Sequence, residues 1–344
     1  MSIYIDCQNN KMTENYMQLS KVKFGVIGAS VLTAAVLAWG VYTNIEPASI
    51  DPVSAANERI SGEGKPPVGA TYTSTILELG ETLLTKKGGY LSNDLLVKAG
   101  VYDNMPNWEL GAVYMIRDAA ESLRTDFSRS QSQSLEDPDL KKHVPMLSFE
   151  HNSWILPSTE SRYEASMEGI SDYLQNMIDP SKQDTQFYAR ADNLVIYLKK
   201  VSKRMGGLSQ NLVASVGQER VNTNLAGERG AEETTYSFSS NREKTPWLEI
   251  DDKFWEARGS LYALTAMFKA IRIDSEGVLR DKNALASLDQ IIVEMEETQT
   301  MLWSPMVLNG GGFGIVANHS LAMASFISRA NAAIIDLQNL LERG

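Results

Sequence analysis

Lys253–Ile273, KFWEARGSLYALTAMFKAIRI, carries apolar residues at intervals of three and four, the spacing that places them along one stripe of an α-helix. The same rhythm returns in Thr75–Lys86, Trp108–Phe127, Arg162–Ile178, Phe187–Val221, Ala284–Trp303 and His319–Leu341. Alternating strand patterns are nearly absent, so the fold class read from the sequence is all-α, a helical bundle. Stops and starts agree: Asp179-Pro180 ends one block, Asp281 is placed to cap another, and Asn318 precedes the last.

Working outward, Trp108–Phe127 repeats features of Lys253–Ile273 at a separation of 148 residues (259 − 111). Gly111 corresponds to Gly259, Tyr114 to Tyr262, Arg124 to Arg272, Asp126 to Asp274 and Pro157 to Pro305, with Ile116 opposite Leu264 and Leu123 opposite Ile271. Leu174-Gln175-Asn176 resembles Leu337-Gln338-Asn339 after a longer insertion holding Asn309-Gly310-Gly311-Gly312. Helices of similar composition also match by chance, so two related helical units (71–225 and 226–344) and a single undivided bundle both stay open.

Upstream, residues 24–43 read FGVIGASVLTAAVLAWGVYT without a charge, enough at about 1.5 Å per residue to cross a core about 30 Å thick. Lys11, Lys21 and Lys23 precede this run and Glu46 and Asp51 follow it. The basic side stays cytoplasmic, so residues 1–23 are expected as a cytoplasmic tail and the body as the exported part. Trp39 and Tyr42 suit the outer interface. A cleaved signal peptide is the rival, but the run is longer than such cores, Glu46 spoils the site at Ala48, and Ser54-Ala55-Ala56 lies too far along. A retained membrane anchor is the expectation. Ser30, Ala34 and Ala38 form a small-residue stripe that would permit homo-oligomerisation. Residues 44–70, rich in Pro, Gly and small polar residues, are expected to be an extended linker.

The composition narrows the partners. A formal charge of −11, from 43 acidic against 32 basic residues, repels phosphate backbones, so no nucleic acid is expected. The single cysteine, Cys7, precedes the apolar run and leaves the body without a disulfide framework or a cysteine zinc site.

Gly88-Gly89-Tyr90-Leu91-Ser92-Asn93-Asp94, then Asp103-Asn104-Met105-Pro106, Glu109-Leu110-Gly111 and Phe254-Trp255-Glu256-Ala257-Arg258-Gly259, together resemble an uncharacterised proteobacterial family known as a domain of unknown function. The likeness runs over nearly the whole chain. It implies an inner-membrane anchor with a periplasmic body, typical of membrane-anchored proteins of Gram-negative bacteria, and supplies no catalytic residue.

Candidate chemistry is sparse. Tyr90, Asn93, Asp94, Asp103 and Asn104 are read as a polar recognition patch at one end of the helices, against the plainer reading of caps and turns. Asn309–Gly314 lacks the Lys-Ser/Thr pair of a nucleotide loop and reads as a loop between helices, with freedom to act as a lid or partner-binding hairpin. The acids Glu249, Asp251, Asp252 and Glu256, and Glu294, Glu296 and Glu297, fit solvated helix faces. His143, His151 and His319 do not fall at ligand spacing, no GxSxG or SxxK pair follows the anchor, and neither metal nor cofactor is expected. Glu121-Ser122 is faintly similar to the acid of lysozyme-like lytic transglycosylases. The sequence therefore points to a non-enzymatic periplasmic scaffold or adaptor contacting other envelope proteins, with a cell-wall hydrolase and a ligand-binding sensor subunit as alternatives.

Overall fold

The computed structural model describes residues 23, 25–60, 66–94, 103–130, 134–182, 185–220, 241–304, 306–312 and 314–343. The N-terminal tail with Cys7, Lys11 and Lys21, and also Pro305 and Phe313, lie outside the described residues. Two compact units divide the chain, 1–46 and 47–344.

The first contains helix α1, Gly25–Thr43, which is long and apolar enough to cross a bilayer, as an anchor or a signal sequence would be. Trp39 and Tyr42 lie together near its end, ring centroids 6.0 Å apart.

The second unit is all-α. Its helices are α2 (Pro52–Arg59), α3 (Ala70–Thr85), α4 (Asn104–Ser122), α5 (Pro138–His143), α6 (Thr159–Ile178), α7 (Ala191–Val213), α8 (Ile250–Asp274), α9 (Glu276–Asp281), α10 (Leu285–Glu297) and α11 (His319–Arg343). A π-helical turn, Leu123–Phe127, extends α4. Two three-residue strands, Gln218–Arg220 and Asn241–Glu243, pair antiparallel and are the sole sheet among the described residues. Asp179 ends α6 as expected, and Asn318 caps α11 by accepting from Leu321 N at 2.8 Å. Asp281 instead closes α9, while Ala284 occupies the cap of α10.

The expectation of an extended linker gives way. The stretch read as an extended linker contains α2, because Asp51 caps it, Pro52 starts it, and Ala55 and Ala56 bury against the body. Arg59 fastens it to α3 by pairing with Glu78 at 2.8 Å and Glu81 at 2.6 Å. Residues 225 and 226, where the two helical units are expected to meet, lie outside the described residues, and the helices on either side share one core.

The repeat is visible inside that shared core. α3 packs on α6 and α7 on α11, while α4 and α8 pair at the centre. A Cβ on Gly111 would sit 1.9 Å from Glu256 O, and one on Gly259 would sit 1.9 Å from Trp108 O. Subtracting the 148-residue offset from Glu256 gives position 108, so the two contacts are one contact seen twice, as about a twofold axis. Ser260 Oγ donates to Gly111 O at 3.1 Å across the crossing. Only residues without a side chain let the backbones approach so closely. Elsewhere the core is aromatic: Phe127 stacks on Phe187 at 4.9 Å, and Tyr72 meets Phe127 at 5.2 Å.

Candidate functional site

The turn after α3 is governed by Glu109, a charged residue on the buried face of α4 beside Met105, Ala112, Val113 and Ile116. Its carboxylate accepts from Leu91 N and Ser92 N, each at 2.8 Å, from Ser92 Oγ at 2.5 Å, and pairs with the buried Lys86 ammonium. Burial pushes the carboxyl up from its ordinary range, while Lys86 and these donors hold it back. Gly88 and Gly89, at φ 88° and 73°, give the chain the reversal this cradle needs.

Held this way, the turn directs Tyr90 and Asn93 into a neighbouring loop. The buried Tyr90 hydroxyl donates to His151 O at 2.7 Å and its ring stands edge-on to Tyr163 at 5.8 Å. Burial drives that phenol well above its ordinary pKa. Asn93 Nδ2 donates to Ser153 O at 3.0 Å and to Glu160 Oε2 at 2.7 Å. Thr159 closes the same loop, its amide donating to Ser153 O at 2.9 Å and its hydroxyl to Glu150 O at 2.7 Å. Arg117, from α4, donates to Leu147 O, to Phe149 O at 2.7 Å and to the Tyr163 hydroxyl at 2.8 Å. Beyond this clamped neck, Trp154, Ile155 and Leu156 are exposed at 52%, 58% and 96%.

The five residues read as one recognition patch thus divide. Tyr90 and Asn93 are buried and hold the loop. Asp94 is exposed beside them, its carboxyl raised by burial and by the charge of Glu160. Asp103 and Asn104 open α4 and belong with Asp251 and Asp252 instead. Asn107 Nδ2 bridges Asp103 O at 2.9 Å and Asp252 Oδ1 at 2.7 Å, and burial with the charges of Asp103 and Asp251 raises Asp252 to about 6. Sequence reasoning missed Glu109, Lys86 and Arg117; the available signal was Glu109 itself, charged among apolar neighbours three and four residues away.

A second loop joins α10 to α11. Arg258 of α8 holds its start by donating to Thr298 O and Thr300 O, each at 3.0 Å, and to Gln299 O at 3.2 Å. Farther on, the loop closes on itself: Gly310 N donates to Ala317 O at 3.0 Å, His319 N to Leu308 O at 2.8 Å, and Asn318 Nδ2 to Gly310 O at 2.7 Å. A groove of about 600 Å³ lies along it, lined by Phe254, Met301, Leu302, Trp303, Met323 and Phe326 among others.

The remaining candidates are used within the fold. Glu121 pairs with Arg124 at 2.6 Å on a half-exposed helix face and does not line the groove. Glu294 pairs with Arg329 at 2.8 Å and Glu296 with Lys269 at 2.6 Å. His143 packs under Gly169, His151 supplies its carbonyl to Tyr90, and His319 Nδ1 faces Leu308 N at 3.2 Å. Among the described residues, no three His, Cys, Asp or Glu side chains gather where they could hold a metal ion.

No curated protein and no solved structure matches the chain. A family model described as an uncharacterized protein conserved in bacteria, DUF2333, matches residues 15–344. With that match covering nearly its whole length, the chain belongs to this bacterial family.

Proposed function

We propose that the protein is a membrane-anchored scaffold or adaptor of the bacterial cell envelope, with a cytoplasmic N-terminus, a retained inner-membrane helix and a periplasmic helical body. One observation carries this reading: Trp154, Ile155 and Leu156 stand exposed on a loop whose neck is fixed from three sides by Tyr90, Asn93 and Arg117. Large apolar side chains presented from a rigid base are the usual anchors of protein interfaces, because little ordering entropy is lost when a partner covers them. The clamp makes Tyr90 and Asn93 positioning residues for that surface.

A photoreactive amino acid at Leu156 tests the assignment in intact cells, with Leu135, exposed at 95% in a different loop, as the control position. The expected result is a discrete adduct with another envelope protein from position 156, lost in Trp154→Ser, and none from position 135. Equal labelling from both positions would overturn it. Fusions after residue 70 test placement, with activity expected only from a reporter that requires export.

A further inference from the structure

The loop between α10 and α11 offers a surface of a different kind. From Thr298 to Asn318 the sequence contains no Asp, Glu, Lys or Arg. Within that stretch Met301, Trp303, Met306, Ile315 and Val316 are exposed at 71%, 92%, 66%, 106% and 54%. Its backbone turns back at Gly310, where an added Cβ would meet Val316 O at 2.0 Å, so a narrow hairpin spanning 308–319 follows the arm that carries Met301 and Trp303. An uncharged hairpin with a tryptophan-bearing arm matches the chemistry of the lipid interface, where an amphipathic indole sits at headgroup depth.

The route of the chain brings a lipid surface within reach. Tyr262 of α8 donates to Ala48 O at 2.7 Å, so the body begins only four residues, 44–47, after Thr43. Five peptide spacings reach at most about 17 Å. From Ala48 the chain runs toward the C-terminal end of α8, where Val53 and Ala56 line a cavity with Ile273 and Asp274. The hairpin stands at the opposite end, on Phe254 and Arg258. Phe254 lies eight residues before Tyr262, about 12 Å of helix rise.

We propose that this hairpin and its arm insert their apolar side chains into the surface of the bilayer that holds the chain; the inference rests on the membrane-anchored reading above. With a net charge of −11, the contact is apolar rather than electrostatic, and added salt leaves it in place.

The test uses the full chain with Cys7→Ser, reconstituted in vesicles of phosphatidylethanolamine with a minor fraction of phosphatidylglycerol. A nitroxide is placed through Trp303→Cys, and through Met301→Cys as a second variant. Leu32→Cys in the apolar helix and Leu135→Cys on the body serve as references. Dissolved oxygen is expected to relax the labels at 32, 301 and 303 several-fold more than a water-soluble nickel chelate does, with the reverse at 135, and high salt should change neither. Lipid contact at 32 with water contact at 301 and 303 overturns the proposal and leaves the anchor standing. Labels at 301 and 303 shielded from both reagents, or coupled to each other, reveal a protein partner or a second copy there and overturn it too. Water contact at 32 removes the anchor and the proposal together.

Discussion

The loops at 149–158 and 298–318 occupy corresponding places, one leading into α6 and the other into α11, and each displays a tryptophan. Each is also gripped at its start by an arginine from a central helix, Arg117 of α4 on Leu147 and Phe149, Arg258 of α8 on Thr298 to Thr300. They part company after that grip. The first is closed by Tyr90 and Asn93 from a turn about 60 residues away and by Thr159 at the start of α6, whereas the second closes through bonds among its own residues and with His319 and Ser320 at the start of α11. A common frame therefore carries one loop closed by a distant turn and one closed, after the grip of Arg258, by itself and the helix it enters.

The most severe way to break the comparison is Glu109→Ala. It leaves Lys86 buried without its carboxylate partner and frees the turn that aims Tyr90 and Asn93, at a cost of about 3–5 kcal/mol. Chemical denaturation should show that loss, and hydrogen exchange should rise in 149–158 while 306–318 is unchanged.

A pH series tests the frame that carries both loops. Asp274, which accepts from Tyr72 N at 2.7 Å beneath the start of α3, is raised to about 6, chiefly by burial. The folded protein holds that proton more tightly than the unfolded chain, whose carboxyl titrates near 3.9. Its contribution to stability is complete below the unfolded value and fades as pH rises through 6. Between pH 7 and pH 5 the wild type should gain on the order of 1 kcal/mol relative to Asp274→Asn, read from denaturation midpoints.

Asn93→Ala sharpens the contrast at smaller scale. It removes the donor to Ser153 O and Glu160, costs about 1 kcal/mol, and should loosen the first loop alone. The smallest effect belongs to Trp303→Ser. An indole exposed at 92% contributes little to the fold, so the denaturation midpoint should hold to within about 0.5 kcal/mol. A large loss there would show that the second loop leans on the body after all.

Much of the frame was legible because periodicity is local. Lys253–Ile273 falls inside α8, and the correspondence of Gly111 with Gly259 marked the two residues at the crossing. Ala284–Trp303 overran α10 because Met301, Leu302 and Trp303 continue an apolar rhythm that Arg258 interrupts by taking the carbonyls of Thr298 and Thr300. No local signal reports a bond from 40 residues away. The linker misled for a similar reason, since eight residues around Ala55 and Ala56 are too few to show a period yet bury well on a surface supplied by α3 and α8. Tyr90 and Asn93 stood out as polar groups in a glycine turn, but their direction was set by Glu109 and by acceptors about 60 residues away.

The crossing of α4 and α8 also bears on how the chain is made. Its contacts join residues about 148 positions apart, so the central interface cannot form until synthesis has passed Asp274. Until then α4 presents Gly111 and its apolar neighbours to whatever is nearby, a long-lived open face of the sort that slows folding and invites misassociation. A second nascent copy offers that face the same surface, and the near-twofold match that closes the finished body would serve equally well to swap halves between two chains.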